Sequence, residues 1–231
     1  MKKVWIPGSV LLFVMIAGVT GNVLRGNYLA LLLVAGIVVA AALLFFGSQF
    51  RARLLLRGKT AEGVIRHYHN LVRRVPQADA AAAFLSSMAA AAYAEFPLAH
   101  AELDAVQWQD KPAMNRSQHR YALGLLALME DRDPASALQL AREGRELDRE
   151  GELQVVCHVI ETAAGGETPE GLLRLEAASK RRAGLIPALS LWALSLHYRR
   201  SGRVPEAEGC AALLRTMAPN CGSLVQNVGR S

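Results

Sequence analysis

The stretch LWALSLHYRRSGRVPEAEGCAALLRTMAP, residues 191–219, decides how the rest of the chain is interpreted. Its apolar residues recur at three- and four-residue steps up to Tyr198, which predicts one apolar face of a helix. Gly202 then marks a turn. Pro205 follows at a position that suits the first turn of a second helix, where no N–H is needed. The stretch therefore predicts two helices joined by a short turn.

The proline of this stretch belongs to a series with spacings of 37, 35 and 36 residues. Small or apolar residues stand at fixed offsets from each proline, where they let paired helices approach closely. The prolines are Pro97, Pro134, Pro169 and Pro205. The residues two positions after them are Ala99, Ser136, Gly171 and Ala207, and those six positions after them are Leu103, Leu140, Leu175 and Ala211. The residues ten positions before them are Ser87, Gly124, Val159 and Ser195. A period in the mid-thirties with two helices per unit is typical of a helical solenoid.

On these residues the chain resembles the tetratricopeptide repeat (TPR). The last unit carries the clearest match, with Leu191, Leu194, Tyr198, Gly202, Ala207 and Pro219 at the family's apolar, Tyr, Gly, Ala and terminal Pro positions. It departs from the family at three positions: Ser195 replaces the usual Gly or Ala, Ala211 replaces an aromatic residue, and Leu214 replaces a small residue. The three earlier units keep the spacing but little of the identity. The resemblance implies an all-α, TPR-like solenoid over residues 77–219, and a plain helical bundle is the alternative.

The same resemblance implies a concave face lined by the first helix of each unit. Transferred to this chain, the lining consists of Phe84, Met88, Tyr121, Leu125, Leu128, Val156, Ile160, Trp192, Leu196 and Arg199. Such a mostly apolar groove suits an apolar or amphipathic helix of a protein partner. Two alternatives stay open: the chain's own helix over residues 61–75 fills the groove, or these residues are simply core, because large exposed apolar patches are uncommon.

Residues 59–76 form the predicted connecting helix, with Thr60 as its cap and Pro76 at its end. Its apolar stripe consists of Val64, Ile65, Tyr68, Leu71, Val72 and Val75. An amphipathic helix of this kind lies on a membrane surface or packs on the domain behind it. Packing on the domain is the commoner outcome.

Residues 4–24 and 28–50 are two apolar runs separated only by Arg25-Gly26-Asn27. Each is about 20 residues long and uncharged, which matches a bilayer core of about 30 Å. Residues 1–58 are therefore predicted to form a two-helix transmembrane anchor. No charged group lies within either run to serve ion or proton transport. A cleaved signal peptide is the competing interpretation, although no clear cleavage site precedes Asn22.

Positive charge is concentrated beside this predicted anchor. Residues 1–74 hold ten Lys and Arg against Glu62 alone, for +9, and residues 75–231 hold sixteen against nineteen acids, for −3. The cluster Arg51, Arg53, Arg57 and Lys59 predicts cytoplasmic termini and contact with anionic lipid headgroups. Because the rest of the chain is slightly acidic, nucleic-acid binding is not expected.

The sequence offers no catalytic motif. His67 and His69 are two residues apart, so on a helix their rings point apart and cannot share a metal. The three cysteines have no close spacing, which fits a reducing compartment. We expect no cofactor, no metal and no catalysis, although an enzyme with scattered His and acids is the third and weakest hypothesis. The polar residues 220–231 are expected to be a flexible tail.

The first functional hypothesis is a membrane-anchored cytoplasmic scaffold that binds protein partners through the TPR-like domain. The layout is similar to bacterial inner-membrane proteins of the HemY type, in layout only, which makes a bacterial inner membrane the expected location. The second hypothesis is a structural subunit of a membrane complex, with its concave groove filled by its own 61–75 helix. The identity of the partner does not follow from the sequence.

Overall fold

The computed structural model describes residues 56–73, 76–148, 151, 153–181 and 183–229. The predicted transmembrane hairpin, with Arg51 and Arg53 of the basic cluster, lies outside these residues. The described residues all belong to one structural unit. They contain no β-strand. The prediction of an all-α chain is thus confirmed for this part of the sequence.

Ten α-helices follow one another along the described chain. They are α1 (Glu62–Val72), α2 (Ala78–Ala92), α3 (Phe96–Asp104), α4 (Ala113–Leu126), α5 (Pro134–Leu147), α6 (Gln154–Ala164), α7 (Pro169–Ser179), α8 (Leu185–Arg200), α9 (Val204–Met217) and α10 (Gly222–Gly229). A short 3₁₀ turn precedes α4 (Trp108–Asp110), and a π-helical turn follows it (Ala127–Asp131).

The four spaced prolines each stand in the first turn of a helix, as predicted. They open α3, α5, α7 and α9. Two of these helices also have side-chain caps: Asp133 accepts from two backbone N–H groups of α5, and Thr168 accepts from that of Gly171 in α7. Gly202, between α8 and α9, has a φ of +73°, which a residue with a side chain rarely adopts. Local chemistry therefore determines where the second helix of each pair begins.

Successive helices pack as four pairs: α2 on α3, α4 on α5, α6 on α7 and α8 on α9. The residues that precede each proline by ten are all in the interior. Ser87, Gly124, Val159 and Ser195 of the first helices are all buried. A Cβ at Gly124 would lie 3.2 Å from Ile160 and 3.5 Å from the backbone of α5, so this position has no room for a larger side chain.

The first helices of the pairs form an inner layer, in which α2 contacts α4, α4 contacts α6 and α6 contacts α8. The last helix, α10, contacts both α8 and α2. The two ends of the series are thus joined. The arrangement is solenoid-like in its stacking of helix pairs but closed at its ends.

Helix α1 and the residues before it also take part in this closure. Val64, Ile65, Tyr68 and Val72 are buried, and α1 packs on α2. The Tyr68 hydroxyl lies beside the backbone of Leu185 at the start of α8, and burial raises its pKa to about 12. The amphipathic helix therefore packs on the domain, as expected, although Leu71 of the predicted stripe is 62% exposed.

The structure differs from three local predictions. Thr60 does not cap α1; the helix begins after Ala61, whose N–H donates to Glu95 Oε1 at 3.1 Å. Leu56, which the prediction assigns to the anchor over residues 1–58, is instead buried in the helical unit, at 1% exposure. The tail predicted to be flexible forms α10, since Leu224 gives this short segment an apolar anchor that is fully buried.

Within the described part of the chain, no helix has both the length and the apolar composition that a bilayer crossing requires.

Candidate functional site

The ten residues predicted to line a concave face lie on or directly after the first helices of the pairs, but most of them are interior. Seven are buried: Phe84, Met88, Tyr121, Leu125, Val156, Ile160 and Trp192. Leu128, Leu196 and Arg199 are half-buried. The ten residues therefore lie on one layer of helices, and only three of their side chains are partly exposed to solvent.

Packing between neighbouring helices accounts for part of this burial, since the Tyr121 ring lies against Gly144 of α5, and the contact of α10 with α2 encloses further side chains. Tyr121 is 0% exposed and Trp192 is 2% exposed. Cys221, just before α10, is 0% exposed and lies beside the hydroxyl of Tyr93 at the end of α2. Burial raises the pKa of the Cys221 thiol to about 12. The contact of α10 with α2 thus buries Cys221 and Tyr93.

A partly buried polar cluster joins α5 and α6. The Arg145 guanidinium donates directly to Glu161 Oε1, and it also donates to Cys157 Sγ at 3.3 Å. The other carboxylate oxygen, Glu161 Oε2, lies 3.2 Å from His158 Nδ1. Glu161 is nearly buried, and its charge is balanced by Arg145, as a buried carboxylate requires. The cluster links two helix pairs.

This cluster does not have the properties of a cysteine nucleophile. Burial, and then the charge of Glu161, raise the pKa of the Cys157 thiol against the opposing effect of Arg145. A reactive cysteine needs the opposite, a lowered pKa and solvent access. The Cys157 thiol instead points toward the Ala141 carbonyl at 3.8 Å. We therefore assign Cys157, His158 and Glu161 a structural role.

A second polar cluster stands between α6 and α8. Arg200 donates to the carbonyl oxygens of Ala163, at 2.9 Å, and Thr162, so it caps the end of α6. His197 Nδ1 lies 2.9 Å from Glu167 Oε1. Burial alone would raise the pKa of Glu167, but its own backbone N–H, His197 and Arg200 together lower it. Helix pairs three and four are thus connected by charge as well as by apolar contact.

The two histidines of α1 have different neighbours. His69 Nε2 lies 3.2 Å from Glu102 of α3, whereas the His67 ring packs edge-on against Tyr68. No cluster of three or more His, Cys, Asp or Glu side chains suited to a metal ion is found among the residues described by the structure.

The described surface includes two clefts of similar size. The first, of about 470 Å³, lies beside Trp108, whose ring stacks on His119 with centroids 4.7 Å apart. Burial, and then Arg120, lower the pKa of His119, which favours its neutral form. The Trp108 Nε1–H donates to Leu103 O at 2.7 Å, so the indole holds the loop after α3 rather than pointing into the cleft.

The second cleft, of about 480 Å³, has three cations on its rim and apolar side chains on its wall. The cations are Arg57, Lys180 and Arg181, and the apolar wall consists of Leu191, Leu213 and Met217. We call this feature the basic cleft. The predicted cluster of Arg51, Arg53, Arg57 and Lys59 thus contributes Arg57 to it, whereas Lys59 is exposed and is not part of its lining.

Sequence reasoning did not single out Lys180, Arg181 or Leu213. A short basic run, Lys180-Arg181-Arg182, follows α7 and is visible in the sequence. Nothing in the sequence brings this run to Arg57, which lies 123 residues earlier.

Comparisons with family models, with curated proteins and with solved structures give no match for this chain.

Proposed function

We propose that this protein is a membrane-anchored structural subunit: residues 1–58 form a two-pass anchor, and a TPR-like helical domain on the cytoplasmic side takes part in a complex with protein partners. The uncharged runs at residues 4–24 and 28–50 support the anchor. The four helix pairs, each with a proline in the first turn of its second helix, support the TPR-like fold.

The burial of the inner layer supports the structural subunit over the open adaptor. A groove that receives a partner helix needs exposed anchor side chains. Here Tyr121, Ile160 and Trp192 are at most 2% exposed in the free chain. Helix α1 packs on α2 and reaches Leu185 of α8 through Tyr68, as a self-filling helix would. This burial is the observation that carries the proposal.

The adaptor hypothesis keeps one supporting observation. Leu128, Leu196 and Arg199 retain partial exposure. They would form a small contact surface at the edge of the inner layer, much smaller than the ten-residue groove implied by the TPR resemblance. An adaptor of this type would depend on Leu196 and Arg199 and not on Trp192.

The native cysteines test whether the inner layer is closed. Cys157 and Cys221 are at most 1% exposed, whereas Cys210 is partly exposed. In the full-length chain, a maleimide should label one thiol rapidly and two slowly, and all three should react after denaturation. Peptide mapping should assign the rapid label to Cys210. Rapid labelling of Cys221 would mean that α10 is not packed on α2 and that the groove is open.

A separate experiment tests the anchor and its orientation. In sealed right-side-out vesicles, added protease should leave the chain beyond residue 60 intact, and in inside-out vesicles it should digest that part. Digestion in right-side-out vesicles would contradict the cytoplasmic placement. Release of the intact chain by alkaline carbonate would contradict the anchor itself.

A further inference from the structure

The basic cleft is lined by both cationic and apolar side chains. Arg57, Lys180 and Arg181 are exposed on its rim. Below them, Leu213 is 59% exposed beside the half-buried Met217. A ligand that fills such a site carries negative charge at one end and apolar surface next to it.

The cations of the rim have little internal neutralisation. Among the described side chains that line the cleft, none is a carboxylate. Arg57 does donate to Thr216 O at 3.3 Å, at the end of α9, where the helix dipole favours positive charge. That contact uses one of its five N–H donors and leaves the others for an anion. The cleft is therefore complementary to a phosphate group, which binds several cationic donors at once.

The position of Arg57 in the chain connects the cleft to the predicted membrane anchor. Arg57 follows the last residue of the apolar run, Phe50, by seven residues. Even when fully extended, seven residues span at most about 25 Å. The backbone at Arg57 is fixed to the domain, because Asn220 Nδ2 donates to Arg57 O at 2.9 Å and Leu56 is buried. Only a short linker therefore separates Arg57, at the rim of the cleft, from the segment that is expected to enter the bilayer.

We propose that the basic cleft binds an anionic phospholipid of the membrane that anchors the chain. Arg57, Lys180 and Arg181 hold the phosphate headgroup, and Leu213 and Met217 contact the upper part of the lipid. The bound lipid seats the helical domain against the membrane at the end of α9 and the turn between α7 and α8. This inference rests on the proposed anchor, and it adds a specific lipid site to it.

The test uses the full-length chain with a photoreactive benzophenone side chain in place of Leu213. A matched variant carries it in place of Leu173, which is 67% exposed on α7 and does not line the cleft. Both are reconstituted in vesicles of three parts phosphatidylcholine and one part phosphatidylglycerol, irradiated, and analysed by mass spectrometry. We expect lipid adducts at position 213, enriched in phosphatidylglycerol over its share of the vesicle, and few adducts at position 173.

Charge removal gives the second arm. Lys180→Gln together with Arg181→Gln should lower the ratio of phosphatidylglycerol adducts to phosphatidylcholine adducts by up to about 25-fold, toward the bulk ratio of one to three, because each cation near an anionic membrane surface contributes about five-fold. The control is Arg116→Gln with Arg142→Gln, which removes two exposed cations outside the cleft and should leave the enrichment unchanged. An excess of soluble glycerol phosphate should not compete if the site requires a membrane lipid.

Several outcomes would overturn the proposal. They are adducts in the bulk lipid ratio, protein adducts in place of lipid, an unchanged double variant, or full competition by glycerol phosphate, which would indicate a site for soluble anions. The anchor is measured separately, by flotation of the chain with pure phosphatidylcholine vesicles after carbonate treatment. If the chain floats but shows no lipid enrichment, the anchor stands and the lipid site fails. If it does not float, the anchor fails, and adducts formed with added anionic vesicles still test the cleft.

Discussion

Gly144 of α5 gives the most direct test of the packing described here. A Cβ at this position would lie 2.5, 2.8 and 3.0 Å from three ring carbons of Tyr121 on α4. The Tyr121 ring is 0% exposed, so it cannot turn out into solvent without disturbing its neighbours. The matched control is Gly209 of α9, which also lies within a helix but has nothing within 4 Å of an added Cβ.

The two substitutions to alanine should have opposite signs. Alanine is better than glycine in a helix by about 1 kcal/mol, and this gain applies to both sites. At position 144, overpacking against a buried ring costs about 3 kcal/mol, at the upper end of the usual range because three ring atoms are involved. Gly144→Ala should therefore destabilise the domain by about 2 kcal/mol, and Gly209→Ala should stabilise it by about 1 kcal/mol.

The measurement is thermal unfolding of the full-length chain in mild detergent, followed by circular dichroism at 222 nm. For a domain of this size, 1 kcal/mol shifts Tm by about 2–4 °C. We expect Tm to fall by about 4–8 °C for Gly144→Ala and to rise by about 2–4 °C for Gly209→Ala. If both variants gain equal stability, Tyr121 does not pack on Gly144, and the contact of α4 with α5 is not as described.

Three further substitutions test the core and the polar clusters, each by Tm of the full-length chain. Trp192→Ala should cost about 3–5 kcal/mol, whereas the exposed Leu173→Ala should change stability by less than about 0.5 kcal/mol; equal effects would contradict burial of the inner layer. Glu161→Ala should cost about 2 kcal/mol, less than a fully buried pair, because Arg145 is half exposed; no loss would mean that the pair is not formed. The lowered pKa of Glu167 stabilises the folded state above about pH 4.3, the pKa of a free Glu, and this contribution is lost as the pH falls through the lowered value. Glu167→Gln should therefore reduce Tm near pH 7 and converge with the parent in stronger acid, and a constant difference at all pH values would contradict this account.

The sequence predicted the helix pairs well because their determinants are local. Proline in the first turn of α3, α5, α7 and α9 and glycine at position 202 act on their own few residues. The placement of the ten lining residues on the first helices came from the TPR resemblance, whose register was transferred to this chain. Local chemistry does not say whether those helices face solvent or one another.

The closure and the basic cleft depend on contacts between residues far apart in the chain. The sequence predicted Cys221 and Leu224 to be part of a short polar tail, yet both side chains are fully buried. The helix that contains Leu224 packs against α2, which precedes it by more than 100 residues. Arg57 and Lys180, also far apart in the chain, line the same cleft because the fold brings them together. Periodicity carries no information about such contacts, since they arise from how four helix pairs curve as they stack.

The bond between Asn220 and the backbone of Arg57 has a mechanical consequence. In an open array of repeats, the outermost units have one neighbour and fray independently. Here the first and last segments support each other, so the loss of either one exposes both. Unfolding should then be all-or-none rather than stepwise from one end, and a pulling force applied at the N-terminal side of the domain would act on a closed ring rather than unfold one helix at a time.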